Sequence, residues 1–587
     1  MSTQTTEERN VSPAPDPSLA TATTAGPTHL IVHDLLACAL ITVLWIAPVF
    51  VIGLEGEFPL NDDWAYAKPV HTFFETGQLS RTEWTHMPIV THTAIGIAFV
   101  KLFGDSFESV GQSFESLRLA GFVMGWAGLI GTYVLCRQIS AGIRWSIFAA
   151  LIVGFNPIYF NLSYTFMTDI PFTALCVWSL VLLTRGFMTG RLIWFVIGMV
   201  VALLATLTRQ FGLAIPIGFS AALVISRPKR ALSWLIALAL PVVVLLAYSA
   251  ATWLAYRGDR HELESNFYLV HHVAVKIWEH LLYKILAQGT YHWLYFGLCL
   301  SPVAVLLASV YGRWRSWVGW CAAAVTLLII AAMLKMGWRL PGFNIIHNLG
   351  LGARETIPGY TLLPKTPLWV WWVISIMSVG SASCIVAVTL DHFRTQWTAI
   401  RKSQIILLLA AVIGAYMTIV VTRHFDRYLL PILPMVAAVM LCPLLASKRL
   451  PRRALYGAIA IMLVLATYSI LGTHDYLVRH RNRWTLLTDL MNEGIAAKTI
   501  QGGFEFNRWY GLDKYNPVEY KVPGEFLWVF NDDDEYVVSY ASAVDGYKVY
   551  KEREYYRLLP PGTEQIRLFQ RYSHISAAAD AEPRVGP

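Results

Sequence analysis

The sequence predicts an all-α polytopic membrane protein with a small α+β extracytoplasmic domain at its C-terminal end. Of the 587 residues, 56% are hydrophobic and 14% are charged, and the mean hydropathy is +0.49. Soluble domains carry about a quarter charged residues. Apolar runs long enough to cross a bilayer as helices recur along the chain. After about Gly472, segments rich in Val and Tyr alternate with turn residues and indicate strands.

The membrane part is predicted to contain about 13 transmembrane helices. They are placed at 33–53, 116–136, 145–162, 170–185, 191–208, 211–226, 231–255, 291–311, 316–334, 367–390, 404–421, 427–446 and 454–472. The predicted organisation is a disordered cytoplasmic tail, a transmembrane domain, an extracytoplasmic domain and a second disordered tail, at 1–28, 29–472, 473–575 and 576–587. The first tail lacks a signal peptide's basic segment and cleavage site, so the first apolar run is expected to stay as an anchor.

The positive charges predict the orientation of the chain. Lys and Arg gather in alternate short loops, for example at 227–230 and 448–453, which is the bias of cytoplasmic loops. The formal charge of +8 therefore argues for a bilayer partner and against nucleic acid. With the N-terminus inside, the first loop and the C-terminal domain lie outside a multi-pass inner or plasma membrane. The seven cysteines lie in apolar runs without CxxC spacing, which argues against disulfides or a zinc–thiolate site.

Three outer segments are long enough to carry structure. Residues 86–104 are apolar but short, and a span there would invert every later loop, so we interpret them as a helix lying in the interface of a first loop at about 54–115. Residues 257–293 predict a loop followed by an amphipathic helix. Residues 337–367, with Gly, Pro and Asn throughout, predict a structured loop that acts as a lid.

Charged residues from four places in the sequence are predicted to meet at the outer surface of the membrane. Charge beside a bilayer is costly and therefore points to function. The residues are Asp62, Asp63, Asp169, Arg209, Arg423, His424, Asp426 and Arg427.

The acidic candidates each have a functional and a structural interpretation. Two adjacent carboxylates in a pocket of low dielectric do not easily both ionise, so one pKa of the Asp62–Asp63 pair is expected to rise. A carboxylate of raised pKa suits proton abstraction from a hydroxyl, whereas the alternative is a helix N-cap. Asp169, two residues before Pro171, offers the same two alternatives.

The basic candidates point to an anion. An arginine such as Arg209 between two apolar runs must find a counter-charge, either a phosphate or a structural partner such as Asp169. The cluster at 423–427 suits a lipid phosphate, and plain interfacial anchoring is its alternative. His71, His86 and His92 supply nitrogen ligands near the carboxylates, but their spacing is no ligand motif, so a divalent metal ion stays open as a cofactor.

These residues stand in four motifs that resemble a known family. The first is Asp-Asp-Trp-Ala-Tyr-Ala at 62–67, where the family has Asp-Glu-x-x-Tyr-Ala; aspartate here replaces glutamate. The others are "FMTDIPF" around Asp169, "TRQFGLAIP" around Arg209, and Arg-Tyr-x-x-Pro-x-x-Pro at 427–434. In their order they resemble the bacterial protein-mannosyltransferase-like or aminoarabinose-transferase-like glycosyltransferases of the GT-C class (glycosyltransferase family 39-like).

The resemblance implies the chemistry and the roles of the residues. A polyprenyl-phosphate sugar would be the donor, and an extracytoplasmic glycan, lipid or protein hydroxyl the acceptor, with inversion at the anomeric carbon. Asp62 would be the general base, and Asp63 and Asp169 would complete the catalytic set. The residues implied in binding the donor phosphate are Arg209, Arg423, Arg427 and Tyr428. Those implied as accessory are Tyr66, His86 and His424.

Three other functions stay open from the sequence. A flippase or transporter of lipid-linked saccharide would also have many spans, but it predicts inverted repeats and charge near mid-membrane. No internal repeat is visible, and the charges gather at one face. A glycan polymerase or ligase shares the outer site and differs only in the order of motifs. A scaffold without chemistry would leave the clustered charges unexplained.

Overall fold

The computed structural model is mainly helical. It describes residues 27–82, 84–85, 87–104, 113–139, 142–226, 229–256, 281–311, 316–342, 344–347, 349–353, 357, 366–397, 402–420, 425–446, 450–511 and 535–572. The helices are α1 Pro27–Ile46, α2 Val49–Ile52, α3 Asp63–Thr76, α4 Val90–Phe103, α5 Phe114–Gln138, α6 Ile143–Gly154, α7 Pro157–Leu162, α8 Asp169–Thr189, α9 Leu192–Thr208, α10 Ala214–Ser226, α11 Ala231–Ala255, α12 Leu281–Cys299, α13 Ser301–Val310, α14 Trp317–Met336, α15 Leu368–Thr395, α16 Lys402–Val420, α17 Ile432–Ala446, α18 Arg452–Asn492 and α19 Phe504–Trp509.

Short 3₁₀ turns and two small sheets complete the described elements. The 3₁₀ turns are Gln210–Leu213, Asp426–Leu429 and Ala497–Thr499. The strands are β1 Ile346–His347, β2 Gly350–Leu351, β3 Ile500–Gln501, β4 Tyr536–Ser539, β5 Tyr547–Leu558 and β6 Pro561–Arg571. β1 and β2 form a small antiparallel pair in the predicted loop 337–367. The others form one sheet in the order β3-β4-β6-β5, in which only β3 and β4 are parallel.

Each predicted span coincides with a helix. Among the described residues, seven helices are long and apolar enough to cross a membrane, and the bent pair α12–α13 makes an eighth if it is one span. The other five predicted spans correspond to the shorter apolar helices α6, α9, α10, α16 and α17. The chain is therefore a multi-pass membrane protein with a small β-containing C-terminal part, and the predicted fold class is confirmed.

Several predicted spans are broken, and prolines explain two of the breaks. The span predicted at 291–311 bends by 79° between α12 and α13. Pro302 in the first turn of α13 has no amide to donate and disfavours a helical Ser301 before it. The span predicted at 145–162 ends as α6 and restarts as α7, where Asn156 caps the amides of Ile158 and Tyr159 at 2.9 and 3.3 Å.

Helix α18 joins the membrane part to the C-terminal sheet. It runs for 41 residues without interruption, past Gly472, where the last span was predicted to end. Farther along this helix, the carboxylate of Asp475 accepts hydrogen bonds from the amides of Leu558 and Leu559, at the end of β5, at 2.8 and 2.7 Å. The sheet is thus fixed to the helix that leaves the membrane.

Arginines of two different helices hold the backbone of the predicted first outer loop and of the residues just before it. The buried guanidinium of Arg118 in α5 donates to the carbonyls of Leu54, Gly56 and Phe58, at 2.6, 3.0 and 3.1 Å. From the other side, Arg481 of α18 donates to the carbonyl of Ile52 at 2.9 Å. The chain therefore reaches Asp62 and Asp63 along a path set by two arginines. Residues 257–280 of the second outer segment lie outside the described residues.

Candidate active site

Asp62 stands at the N-cap position of α3, but its side chain does not cap the helix. Its backbone has φ −84° and ψ 6°, and no amide of the first turn donates to its carboxylate. Instead, Oδ1 accepts a hydrogen bond from the indole Nε1 of Trp84 at 3.0 Å, and Oδ2 lies 3.4 Å from Nη2 of Arg427. The side chain is 14% exposed. The N-cap alternative therefore describes the backbone of Asp62 and not its carboxylate, which faces the charged cluster.

Asp63 is the buried member of the pair. Its carboxylate accepts from the amide of Leu60 at 3.4 Å, and the residue is 2% exposed. Burial raises the pKa of the Asp63 carboxyl to about 7, against the opposing effects of the Phe166 amide and the Arg118 charge. The sequence predicts that one carboxyl of the Asp62–Asp63 pair has a raised pKa. In the structure the carboxyl whose pKa is raised by burial is that of Asp63.

The raised pKa of Asp63 predicts a pH-dependent stability. The charged form is disfavoured in the folded state, because the pKa is about 7 there and 3.8 ordinarily. This group therefore stabilises the fold fully below about pH 4, and the contribution is lost as the pH rises through 7, an effect of about 4 kcal/mol. Asp63→Asn is expected to reduce the fall in apparent Tm between pH 5 and pH 8. An unchanged pH slope in the variant would contradict this assignment.

Asp169 and Arg209 form a buried bidentate ion pair. Nη1 and Nη2 of Arg209 donate to the two carboxylate oxygens of Asp169 at 2.7 and 3.2 Å, and Nε donates to Oγ1 of Thr168 at 2.8 Å. Both side chains are 3% exposed or less. Asp169 is the first residue of α8, where a negative charge also suits the helix dipole. Of the two partners expected for Arg209, a phosphate or Asp169, the structure shows the pair with Asp169.

Arg427 connects this pair to Asp62. Its Nη2 faces Asp62 at 3.4 Å, and its Nε lies 3.9 Å from Oδ2 of Asp169. We call Asp62, Arg427, Asp169 and Arg209 the ion-pair network. The side chain of Arg427 is only 7% exposed, yet Nε and Nη1 have no hydrogen-bond partner among the described residues. A buried guanidinium with donors left over has the charge and the hydrogen-bonding groups that suit an anion.

The pairing of Asp169 with Arg209 predicts a coupled loss of stability. Asp169→Asn or Arg209→Gln leaves a buried charge without its partner, which costs about 3–5 kcal/mol. The double variant removes both charges, so its loss of apparent Tm is expected to be smaller than the sum of the two single losses. Thermal unfolding of the four proteins in one detergent measures this. Additive losses would show that the two charges do not stabilise each other.

The remaining predicted residues divide into those beside the network and those outside the described residues. The ring of Tyr428 lies 5.5 Å from the guanidinium of Arg209 as a cation–π contact. Tyr66 is 2% exposed, and burial followed by the charge of Asp62 raises the pKa of its phenol. Arg423, His424 and His86 lie outside the described residues, so their roles stay predictions.

The histidines near the site have protein partners. His92 contacts the carbonyl of Phe166 through Nε2 at 3.0 Å and stacks edge-to-face with Tyr66. His71 lies 3.4 Å from the carboxylate of Glu75. In the described ranges, no three His, Cys, Asp or Glu side chains are grouped so that they could hold a metal ion.

Two further residues join the site: Trp84, to which the sequence had assigned no role, and Asp426, which it had placed among the charges at the outer surface without a specific role. Trp84 donates to Asp62, and nothing in its sequence neighbourhood signals this contact. Asp426 is fully buried and accepts from the amides of Ile345 and Ile346, both at 3.1 Å, and from that of Arg427 at 2.9 Å. Asp426 therefore ties the start of the β1–β2 loop to the turn that carries Arg427. The sequence signal for Asp426 was its place in the charged cluster at 423–427.

Comparison with solved structures gives several distant matches. ArnT from Cupriavidus metallidurans bound to undecaprenyl phosphate is 15% identical, with a TM-score of 0.43 over 83% of this chain and 85% of that one. An Archaeoglobus fulgidus oligosaccharyltransferase is 12% identical, with a TM-score of 0.41 over 79% and 58%. The arabinosyltransferase EmbB from Mycobacterium smegmatis is 13% identical, with a TM-score of 0.34 over 80% and 42%. No curated protein sequence matches the chain significantly.

The family-model comparison covers part of the network. Residues 92–256 match the family described as dolichyl-phosphate-mannose-protein mannosyltransferase. That stretch contains Asp169 and Arg209, two of the four charges that the structure brings together. The predicted resemblance to this family is thereby confirmed over residues 92–256, and with it the predicted enzyme class, a membrane glycosyltransferase.

Proposed function

We propose that the chain transfers a sugar from a polyprenyl-phosphate donor to an extracytoplasmic acceptor hydroxyl, with inversion at the anomeric carbon. One observation carries the proposal: a nearly buried arginine with unused donors, Arg427, stands next to the carboxylate of Asp62. The guanidinium of Arg427 suits binding of the phosphate that leaves, and the carboxylate of Asp62 suits taking a proton from the hydroxyl that attacks. The description of the matching family names a donor of this chemical class, a lipid phosphate that bears mannose.

The proposed reaction is a single displacement. The acceptor oxygen forms a bond to the anomeric carbon while its proton passes to the carboxylate of Asp62. The bond between the anomeric carbon and the phosphate oxygen breaks, and its electron pair stays on the phosphate. The products are the glycosylated acceptor, the polyprenyl phosphate and a protonated Asp62, which returns its proton to water.

The ion-pair network supports the departing phosphate. Nε and Nη1 of Arg427 would donate to the phosphate oxygens. The positive charge of Arg209, which is paired with Asp169, would add electrostatic stabilisation of the phosphate from farther away. Asp169 keeps Arg209 oriented and lies 3.9 Å from Nε of Arg427, so it limits the positions open to both guanidinium groups. Arg423 and Tyr428 remain candidates for further phosphate contacts. Tyr66, His86 and His424 remain candidates for accessory roles.

The location of the active site follows the charge bias of the loops. The bias places the cytoplasm on the side of loops such as 227–230, and therefore α3 and the C-terminal sheet on the outer face of the inner or plasma membrane. The donor's polyprenyl tail would then lie in the bilayer beside the helices, with its phosphate at the membrane surface.

The direct test is sugar release from a labelled donor. Purified protein in liposomes is supplied with undecaprenyl-phosphate mannose or aminoarabinose, labelled in the sugar, and with a cell-envelope fraction as acceptor. Loss of label from the lipid, with release of undecaprenyl phosphate and labelling of the acceptor, is the expected result. Movement of intact labelled lipid across the bilayer without cleavage would instead support the flippase and overturn the proposal.

A further inference from the structure

We propose that Trp84 is the positioning residue for Asp62, and that helix α19 of the C-terminal part holds Trp84 in place. The proposal rests on the proposed function, in which Asp62 accepts the acceptor proton. It gives the C-terminal part a role in the orientation of the general base, beyond any role in the choice of acceptors.

The first observation is that Trp84 and Arg427 contact different carboxylate oxygens of Asp62. The indole Nε1 donates to Oδ1 at 3.0 Å, whereas the contact of Oδ2 with Arg427 is longer, at 3.4 Å. A hydrogen bond from a rigid ring fixes the torsion of the short aspartate side chain. Oδ2 is thereby kept beside Arg427, where the acceptor hydroxyl and the donor phosphate have to meet.

The second observation is what fixes the indole. The ring centroid of Trp84 lies 5.4 Å from that of Phe504 and 6.0 Å from that of Trp64, and the Arg508 guanidinium lies 5.4 Å from the Trp84 ring. We call Trp64, Trp84 and Phe504 the aromatic cluster. Phe504 and Arg508 belong to α19, so residues more than 400 positions after Asp62 support the ring that orients it. Aromatic pairs at these distances stabilise one another beyond the area they bury.

The third observation provides a matched comparison inside the same cluster. Trp64 is 4% exposed and packs against both Trp84 and Phe504. Its indole Nε1, however, has no hydrogen-bond partner among the described residues. Trp64 and Trp84 therefore share the packing role, while only Trp84 donates to the carboxylate of Asp62. Replacing each by phenylalanine separates the two effects.

The test compares Trp84→Phe with Trp64→Phe in the full-length protein, using release of labelled sugar from undecaprenyl-phosphate sugar. Trp84→Phe is expected to lower kcat about 10- to 100-fold, because a hydrogen bond to a charged group is lost and the base is misaligned. The KM for the donor is expected to stay within about twofold, since the donors of Arg427 are untouched.

The control variants decide between orientation and packing. Trp64→Phe is expected to keep the kcat of the parent protein. Phe504→Leu is expected to lower kcat about 2- to 10-fold in the same direction as Trp84→Phe, through weaker support of the ring. A Trp84→Phe protein with the parent's kcat overturns the proposal. Equal losses in Trp84→Phe and Trp64→Phe also overturn it, because they would show that only the packing matters.

The outcome is distinguishable from a failure of the proposed function. Full activity in Asp62→Asn would remove the general base itself, whatever Trp84 does. Loss of activity in Asp62→Asn together with an unaffected Trp84→Phe would retain the base and reject only its positioning by the indole. Apparent Tm values of all variants, measured in the same detergent, identify any protein that has lost its fold, and Phe504→Leu then serves as the second probe.

Discussion

Asp62→Asn is expected to lower sugar transfer about 10²- to 10⁴-fold while the protein still accumulates in membranes. The range is that of a lost general base. Asparagine keeps the size of the side chain and an oxygen that can still accept from Nε1 of Trp84, so the contact at 3.0 Å can persist. What disappears is the ability to take a proton from the acceptor hydroxyl. Release of labelled sugar from undecaprenyl-phosphate sugar, under single-turnover conditions, measures this loss.

The matched control for Asp62→Asn lies on the same helix. Glu75, near the C-terminal end of α3, has a side chain that is 55% exposed, and its carboxylate lies 3.4 Å from Nδ1 of His71. Glu75→Gln removes one carboxylate charge from α3 without touching the ion-pair network, so its turnover should equal that of the parent. Turnover of Asp62→Asn at the parent's rate would require a different base, and Asp63 would be the first residue to examine.

Arg427→Lys is expected to reduce kcat/KM for the lipid-linked donor about 10²- to 10³-fold. Lysine keeps the positive charge between Asp62 and Asp169, so the network retains its charge balance. It loses the planar fork that presents Nε and Nη1, the two donors without partners among the described residues. The size of the loss is that of removing a preorganised donor to a developing negative charge. Steady-state kinetics over a range of donor concentrations gives the value.

Binding of the lipid product separates the phosphate role of Arg427 from a general defect. Undecaprenyl phosphate should bind Arg427→Lys more weakly than the parent, whereas undecaprenol, which has no phosphate, should bind both proteins alike. Arg230→Lys, the same substitution at an exposed position before α11, should leave both affinities unchanged. Equal affinity of Arg427→Lys and the parent for undecaprenyl phosphate would assign the phosphate to other residues.

The sequence predicts the membrane part well, because the signals there are long and physical. Apolar length locates every span, and the charge bias brings Asp62, Asp169, Arg209 and Arg427 to one side before any contact is known. The structure then joins these four side chains into one network. The breaks at Pro157 and Pro302 were missed because hydropathy averages over a window and does not register a single absent amide.

What the sequence does not predict are contacts made between distant segments. The partner of Asp62 is an indole 22 residues later, and the support of that indole lies on α19. No periodicity links such positions, since each depends on where complete helices have packed. The N-cap alternatives for Asp62 and Asp169 were reasonable for the same reason. The local sequence indicates that a helix starts at each residue, but the competing partners Arg427 and Arg209 are brought close only by the fold.

Helix α18 is continuous from the last membrane span to the C-terminal sheet, so it acts as one rod between them. At 41 residues it is about 60 Å long, and no glycine-rich joint divides it at Gly472. Its angular phase therefore sets where the sheet and α19 stand around the rod axis, since one residue more or less turns everything beyond it by about 100°. A tilt of the last span in a thinner bilayer would be carried along the same rod toward the active site. If α19 and Trp84 position Asp62 as proposed, a change in membrane thickness would then alter the alignment of the Asp62 carboxylate.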